Sequence, residues 1–200
     1  MVKVYFSPIL KVMVVLSTLW SVSLFLAPAT LPPGTVEHLH GTSRIDYWDK
    51  WAGLPPYQHI VYLIGDANCH QWENRSYYIN ENQMPVCARC MALFVFGNIG
   101  LITAGFLRPT PSLSETVAGL LPEKLRKSVA GYEMLFLWML FILCALPTAI
   151  DGFVQLLTPY ESTNLKRVVF SIPTGWAAGL VIGVIFNMTM LTVRGGYYED

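Results

Sequence analysis

The chain has 200 residues, 54% of them hydrophobic and 13% charged, and its 13 basic and 13 acidic residues cancel. The charged share is about half that of a soluble domain, and the apolar residues fall in long blocks. This excludes a disordered chain, a collagen-like repeat and a soluble enzyme built on one packed core. Four cysteines are too few for a disulfide scaffold, and a neutral chain leaves no nucleic-acid footprint.

The blocks predict an all-α membrane protein, a single four-helix domain over 1–200 with spans at about 11–28, 88–108, 132–152 and 168–193. Val12 to Val36 carries no Asp, Glu, Lys or Arg, and Pro28, Pro32 and Pro33 are expected to end its helix near Ala27. Lys3 and Lys11 precede this stretch, and Ala27-Pro28-Ala29 resembles a cleavage site; the segment reads as a signal anchor that stays as the first span. A long loop, about 29–87, follows and holds all four histidines: His38, His40, His59 and His70. Within it, Pro55-Pro56 and Tyr57 to Ile64 predict a short helix. It either lies in the membrane interface, with Trp48, Trp51, Tyr57 and Tyr62 at headgroup depth, or packs on the rest of the protein.

The second charge-free run, Cys90 to Leu107, lies between Arg89 and Arg108, and the third, Met134 to Ile150, between Glu133 and Asp151. Gly152 to Leu157 adds apolar length to the third. The polar loop between them carries Lys124, Arg126 and Lys127, suited to orientation or to contact with anionic lipid. Val168 to Val193 is the fourth run. Lys3, Lys11, Arg108, Lys124, Arg126, Lys127 and Arg194 share one side, so the positive-inside bias places both termini in the cytoplasm and the long loop outside the cell membrane. In the fourth span Gly175, Gly179 and Gly183 form one smooth face, for packing within the bundle or against a partner subunit.

Two polar constellations share the outer side. Cys69-His70 lies upstream of Cys87-Ala88-Arg89-Cys90. A Cys-x-x-Cys pair puts two thiols on one turn, and a thiol or imidazole from upstream completes a tetrahedral Cys/His site for zinc or another transition metal. The candidate ligands are Cys69, His70, Cys87 and Cys90, although adjacent residues such as Cys69 and His70 do not readily aim at one ion. Because the pair opens a helix, thiolate is favoured there. A closed metal site, a disulfide and a redox-active or catalytic metal centre all remain open. Cys144, alone in the third span, reads as a small core residue. The second constellation is Asp151, Gln155, Asn164 and Arg167, costly in a membrane unless paired. Asp151 and Arg167 are expected to form an ion pair, or the group to make a polar pocket or a support for the metal ligands.

Cys69-His70-Gln71, Arg75-Ser76 and Pro85-Val86-Cys87-Ala88-Arg89-Cys90 resemble the signature of an uncharacterised prokaryotic membrane-protein family, domain of unknown function 2085. Asp151-Gly152 with Gln155, and Ser162-Thr163-Asn164 with Arg167, resemble its second motif. The resemblance covers roughly residues 60 to 185 and implies that the two constellations belong together. Where the family carries a small Thr-Gly pair after the last Cys, this chain has Met91-Ala92; Pro28 to Leu54 looks like an addition.

Three functions compete. The first, favoured, is a non-catalytic integral membrane subunit. Its Cys/His site would fasten the outer loop, and its partners would be the lipid bilayer and other membrane subunits, as in a respiratory or metal-dependent oxidase or monooxygenase complex. No catalytic residue is assigned in this reading. The second is an outer-face metal-dependent hydrolase acting on a lipid headgroup. The third is a thiol–disulfide oxidoreductase using Cys87 and Cys90.

Overall fold

The computed structural model describes residues 3–42 and 44–193, with side chains to 188; the expected cytoplasmic Arg194 lies outside them. Four long helices carry the fold: α1 (Pro8–Thr30), α4 (Ala88–Ala104), α7 (Glu133–Leu157) and α8 (Asn164–Val193). Between α1 and α4 lie α2 (Trp48–Ala52), α3 (Pro56–Asn68), a 3-10 turn at Glu73–Arg75 and a two-stranded hairpin, β1 (Tyr78–Ile79) with β2 (Asn82–Gln83). The hairpin is a small departure from an all-α chain. Short helices α5 (Leu113–Ala118) and α6 (Glu123–Ser128) join α4 to α7.

Among the described residues, three helices are long and apolar enough to cross a membrane: α1, α7 and α8 through Met188. At 1.5 Å per residue, the 23 residues of α1 reach about 34 Å, more than the roughly 30 Å hydrocarbon layer. With 17 residues, α4 reaches only about 25 Å and ends at Ala104, short of the expected 108, where Gly105 begins a turn. One boundary is corrected. α1 runs through Pro28 to Thr30, because the Asn82 side-chain amide donates to the Pro28, Leu31 and Pro32 carbonyls and so caps the end. α7 runs to Leu157 and takes in the apolar residues from Gly152 onward, with Gln155 and Ser162 donating to Asp151.

The glycines of α8 meet α4. A Cβ on Gly179 would stand 1.9 Å from the Gly97 carbonyl oxygen, and one on Gly100 2.2 Å from the Trp176 oxygen. The backbones therefore touch, the way small residues bring membrane helices together. Polar pairs fix α1 against α4 and α8: Asn98 with Thr18, and Asn187 with the Ser7 amide and the Tyr5 carbonyl. One core cluster at this end of the bundle joins Leu10, Leu101, Val117, Leu180 and Val184.

The long loop between α1 and α4 folds into a cap. Trp51 and Tyr62 are fully buried and stacked at 5.1 Å, which removes them from the expected headgroup positions; Trp48 and Tyr57 remain exposed. Buried Asp66 organises the cap. One of its carboxylate oxygens accepts the Asp46 and Tyr47 amides and the Trp51 indole N–H. Gln83 joins three strands of chain, accepting from the Leu39 amide and donating to the Gln71 carbonyl. A buried loop backbone needs such partners, and side-chain amides supply them here.

Candidate metal centre

Two elements deliver three thiols to one point. Cys69 ends α3, Cys87 is the N-cap of α4, and Cys90 lies in the first turn of α4. Their sulfurs all lie within 4.8 Å of one another. A bend at Pro85-Val86 leads into α4 against α3: a Cβ on Gly65 would stand 2.2 Å from the Pro85 oxygen. The Gln71 side-chain amide donates to that same oxygen at 2.7 Å. Gln71 has φ +49, a left-handed turn that returns the chain from α3 toward the cap. Leu24, Met84 and Val86 pack with Cys69 and Cys87 into an apolar shell.

All four cysteines carry free thiols. The Cys87 amide donates to the Cys69 sulfur at 3.2 Å. Hydrogen bonds from the Cys69 and Cys90 thiols hold Cys87 far below the usual thiol range. Cys69 is pushed up to about 11, chiefly because it donates to Cys87. Three soft donors in a compact group, Cys69 and Cys87 buried and Cys90 half-buried, suit one mononuclear ion: with metal–sulfur bonds of about 2.3 Å, tetrahedral sulfurs stand about 3.8 Å apart.

His70 is placed beside this group and not inside it. Its Nδ1 accepts the Trp72 amide at 3.1 Å, and its ring lies 5.4 Å from the Trp72 ring. The imidazole is nonetheless close enough to Cys87 to help lower that thiol. Cys144 is buried in α7, outside the cluster.

The second constellation is assembled, with its ion pairs exchanged. Asp151, expected to pair with Arg167, is held by Arg89. Arg89 lies between the two α4 cysteines in sequence and reaches α7, whereas Arg167 reaches Asp151 only through Gln155. Arg167 is buried, donating to the Gln155 and Asn164 side-chain oxygens at 3.1 and 2.9 Å. The Asn164 side chain in turn donates to the Ser76 carbonyl, tying α8 to the cap. Glu161 closes the network: Arg75 donates to it at 2.7 Å, and this bond keeps its carboxyl below the usual range. Arg75 also stacks on Trp72 at 4.4 Å, and Trp72 leads back to His70. The two motifs thus form one connected network.

Sequence reading missed Arg89, Glu161 and the cap amides Gln71, Asn82 and Gln83. The signal for Arg89 was present: a cation beside a long apolar run needs a partner, and Asp151 closes the next such run.

Residues 69–185 match the family described as predicted membrane protein (DUF2085). An uncharacterised protein of Methanocaldococcus jannaschii is 28% identical over 160 residues, 80% of this chain and 78% of its own length. An uncharacterised protein of Methanothermobacter thermautotrophicus is 25% identical over 122 residues, 61% of this chain and 90% of its own. No solved structure matches the chain.

Proposed function

The chain belongs to the DUF2085 family of predicted membrane proteins, and on that premise we propose that it is a non-catalytic integral membrane subunit fastened by a structural metal. The ion, zinc or another soft transition metal, is held by Cys69, Cys87 and Cys90, with His70 turning in as fourth ligand. It clamps the cap to the start of α4. The observation that carries this reading is three thiols from two distant segments gathered within 4.8 Å behind apolar side chains. A closed, buried Cys/His set contributes folding energy and leaves no coordination position for substrate.

The proposal includes a fourth span. α4 starts about one turn below the outer end of α1: Ser21, nine residues before Thr30, bonds the Phe94 oxygen six residues into α4. The cap fills that recess, so α4 crosses the membrane with the cap completing its outer end. The cap is then extracytoplasmic and both termini cytoplasmic. Asp151, Gln155, Asn164 and Arg167 hold the α7–α8 turn against the same face. Trp138, Leu143, Phe153 and Leu157 on α7 remain exposed, for lipid and for the partner subunits of a larger complex.

The test is native purification of the wild type and Cys87→Ser, with mass spectrometry of co-purifying chains. The clamp requires less assembled protein and fewer associated chains in the variant. An undiminished assembly that loses a hydrolytic or thiol–disulfide turnover would assign the centre to catalysis.

A further inference from the structure

The solvent-side face of α3 is apolar and uncharged. Of its 13 residues only Asp66 is acidic and none is Lys or Arg, and Asp66 is buried inside the cap. The opposite face exposes Tyr57, Ile60 and Ile64, three residues on one side of the helix, and Trp48 lies exposed beside it against His59. A helix facing water carries charge on its outer side; this one does not.

The position of α3 names what covers it. Near its start, Gln58 donates to Thr30 at the outer end of α1. Near its end, Gly65 presses on Pro85, two residues before the N-cap of α4. With α4 starting about one turn deeper than the end of α1, α3 slants inward along the rim of the bundle. Its buried side, Val61 and Tyr62, packs with Ala27 of α1 and with Leu31 just past its end. The α1 surface below, including Val22, Phe25 and Leu26, is exposed and apolar. The α3 stripe continues that surface upward, and Trp48 and Tyr57 are the residue types that sit at headgroup level.

We propose that α3 is a membrane-contacting helix: Tyr57, Ile60 and Ile64 lie in the outer interface of the bilayer beside α1, with Trp48 and Tyr57 at the headgroups. Because α3 ends at Cys69, the bilayer then supports the segment that delivers one of the three thiols.

Spin labels at Ile60→Cys and Ile64→Cys, in the purified chain in phospholipid nanodiscs, test this. Labels at Leu19→Cys on α1 and Glu81→Cys on the hairpin turn serve as lipid and water references. Oxygen, which concentrates in lipid, should relax the Ile60 and Ile64 labels more strongly than a water-soluble chromium oxalate complex does, as at Leu19, with the order reversed at Glu81. Labels at Ile60 and Ile64 that behave like Glu81, or that are shielded from both relaxants by protein, would overturn the proposal. Both sites are exposed, so either variant alone decides the matter.

Discussion

Arg89 and Arg75 have unlike environments although both pair with a carboxylate. Arg89 meets Asp151, whose side chain is buried; Arg75 meets Glu161, which is nearly half exposed. Removing Arg89 strands a buried carboxylate, at a cost of about 3 kcal/mol, whereas an exposed pair contributes about 1 kcal/mol or less. Arg89→Leu should therefore lower the unfolding midpoint in detergent far more than Arg75→Leu. Equal effects would mean that Asp151 is solvated. The Glu161 carboxyl also sets a pH dependence. Its folded pKa is depressed by Arg75, so its contribution is present above the ordinary Glu value of about 4.3 and is lost as pH falls through the lower folded value. The stability gap between wild type and Glu161→Gln should be open at neutral pH and close in acid; a gap independent of pH would contradict the pairing.

The contact between α4 and α8 depends on individual glycines in a way the sequence only half shows. The Gly175, Gly179 and Gly183 row was legible because its spacing of four repeats. Its counterpart on α4 was not, because Gly97 and Gly100 read as isolated small residues until the helices are laid together. The two sides are unequal. A Cβ on Gly179 collides with backbone at 1.9 Å, while one on Gly97 meets its nearest atom at an ordinary 3.6 Å. Gly179→Ala should destabilise the fold by about 1–3 kcal/mol or more, as overpacking does, and Gly97→Ala should leave it nearly unchanged. Unfolding of the two variants in detergent measures the contrast, and similar losses would place the helix contact elsewhere. The cap was the least legible element. Trp51 and Tyr62 look like interface aromatics by composition, yet they are buried, the Trp51 indole donating to the Asp66 carboxylate and the Tyr62 hydroxyl to the Gln83 backbone carbonyl, and nothing in local sequence marks those partners. Pro28 misled for a related reason: the helix passes it because Asn82, 54 residues away, accepts the task of satisfying the carbonyls at its end.

At the scale of the whole molecule, one outer network joins the cap, α4, α7 and α8. The sulfur centre stands at one side of it and the Arg89–Asp151 pair at the other, with both partners of the link, Cys90 and Arg89, on the first turn of α4. The gathering of the cysteines was legible in sequence because Cys-x-x-Cys spacing puts two thiols on one turn. The exchange of Arg167 for Arg89 was not, because it depends on which side of α4 faces α7. The central claim is that Cys69, Cys87 and Cys90 bind one ion. X-ray absorption on the natively purified protein measures this directly. The account requires about one zinc-like ion per chain, with about three sulfurs at roughly 2.3 Å and one nitrogen near 2.1 Å, and loss of that signal in Cys87→Ser. Metal-free protein in which Cys87 and Cys90 form a disulfide would contradict it.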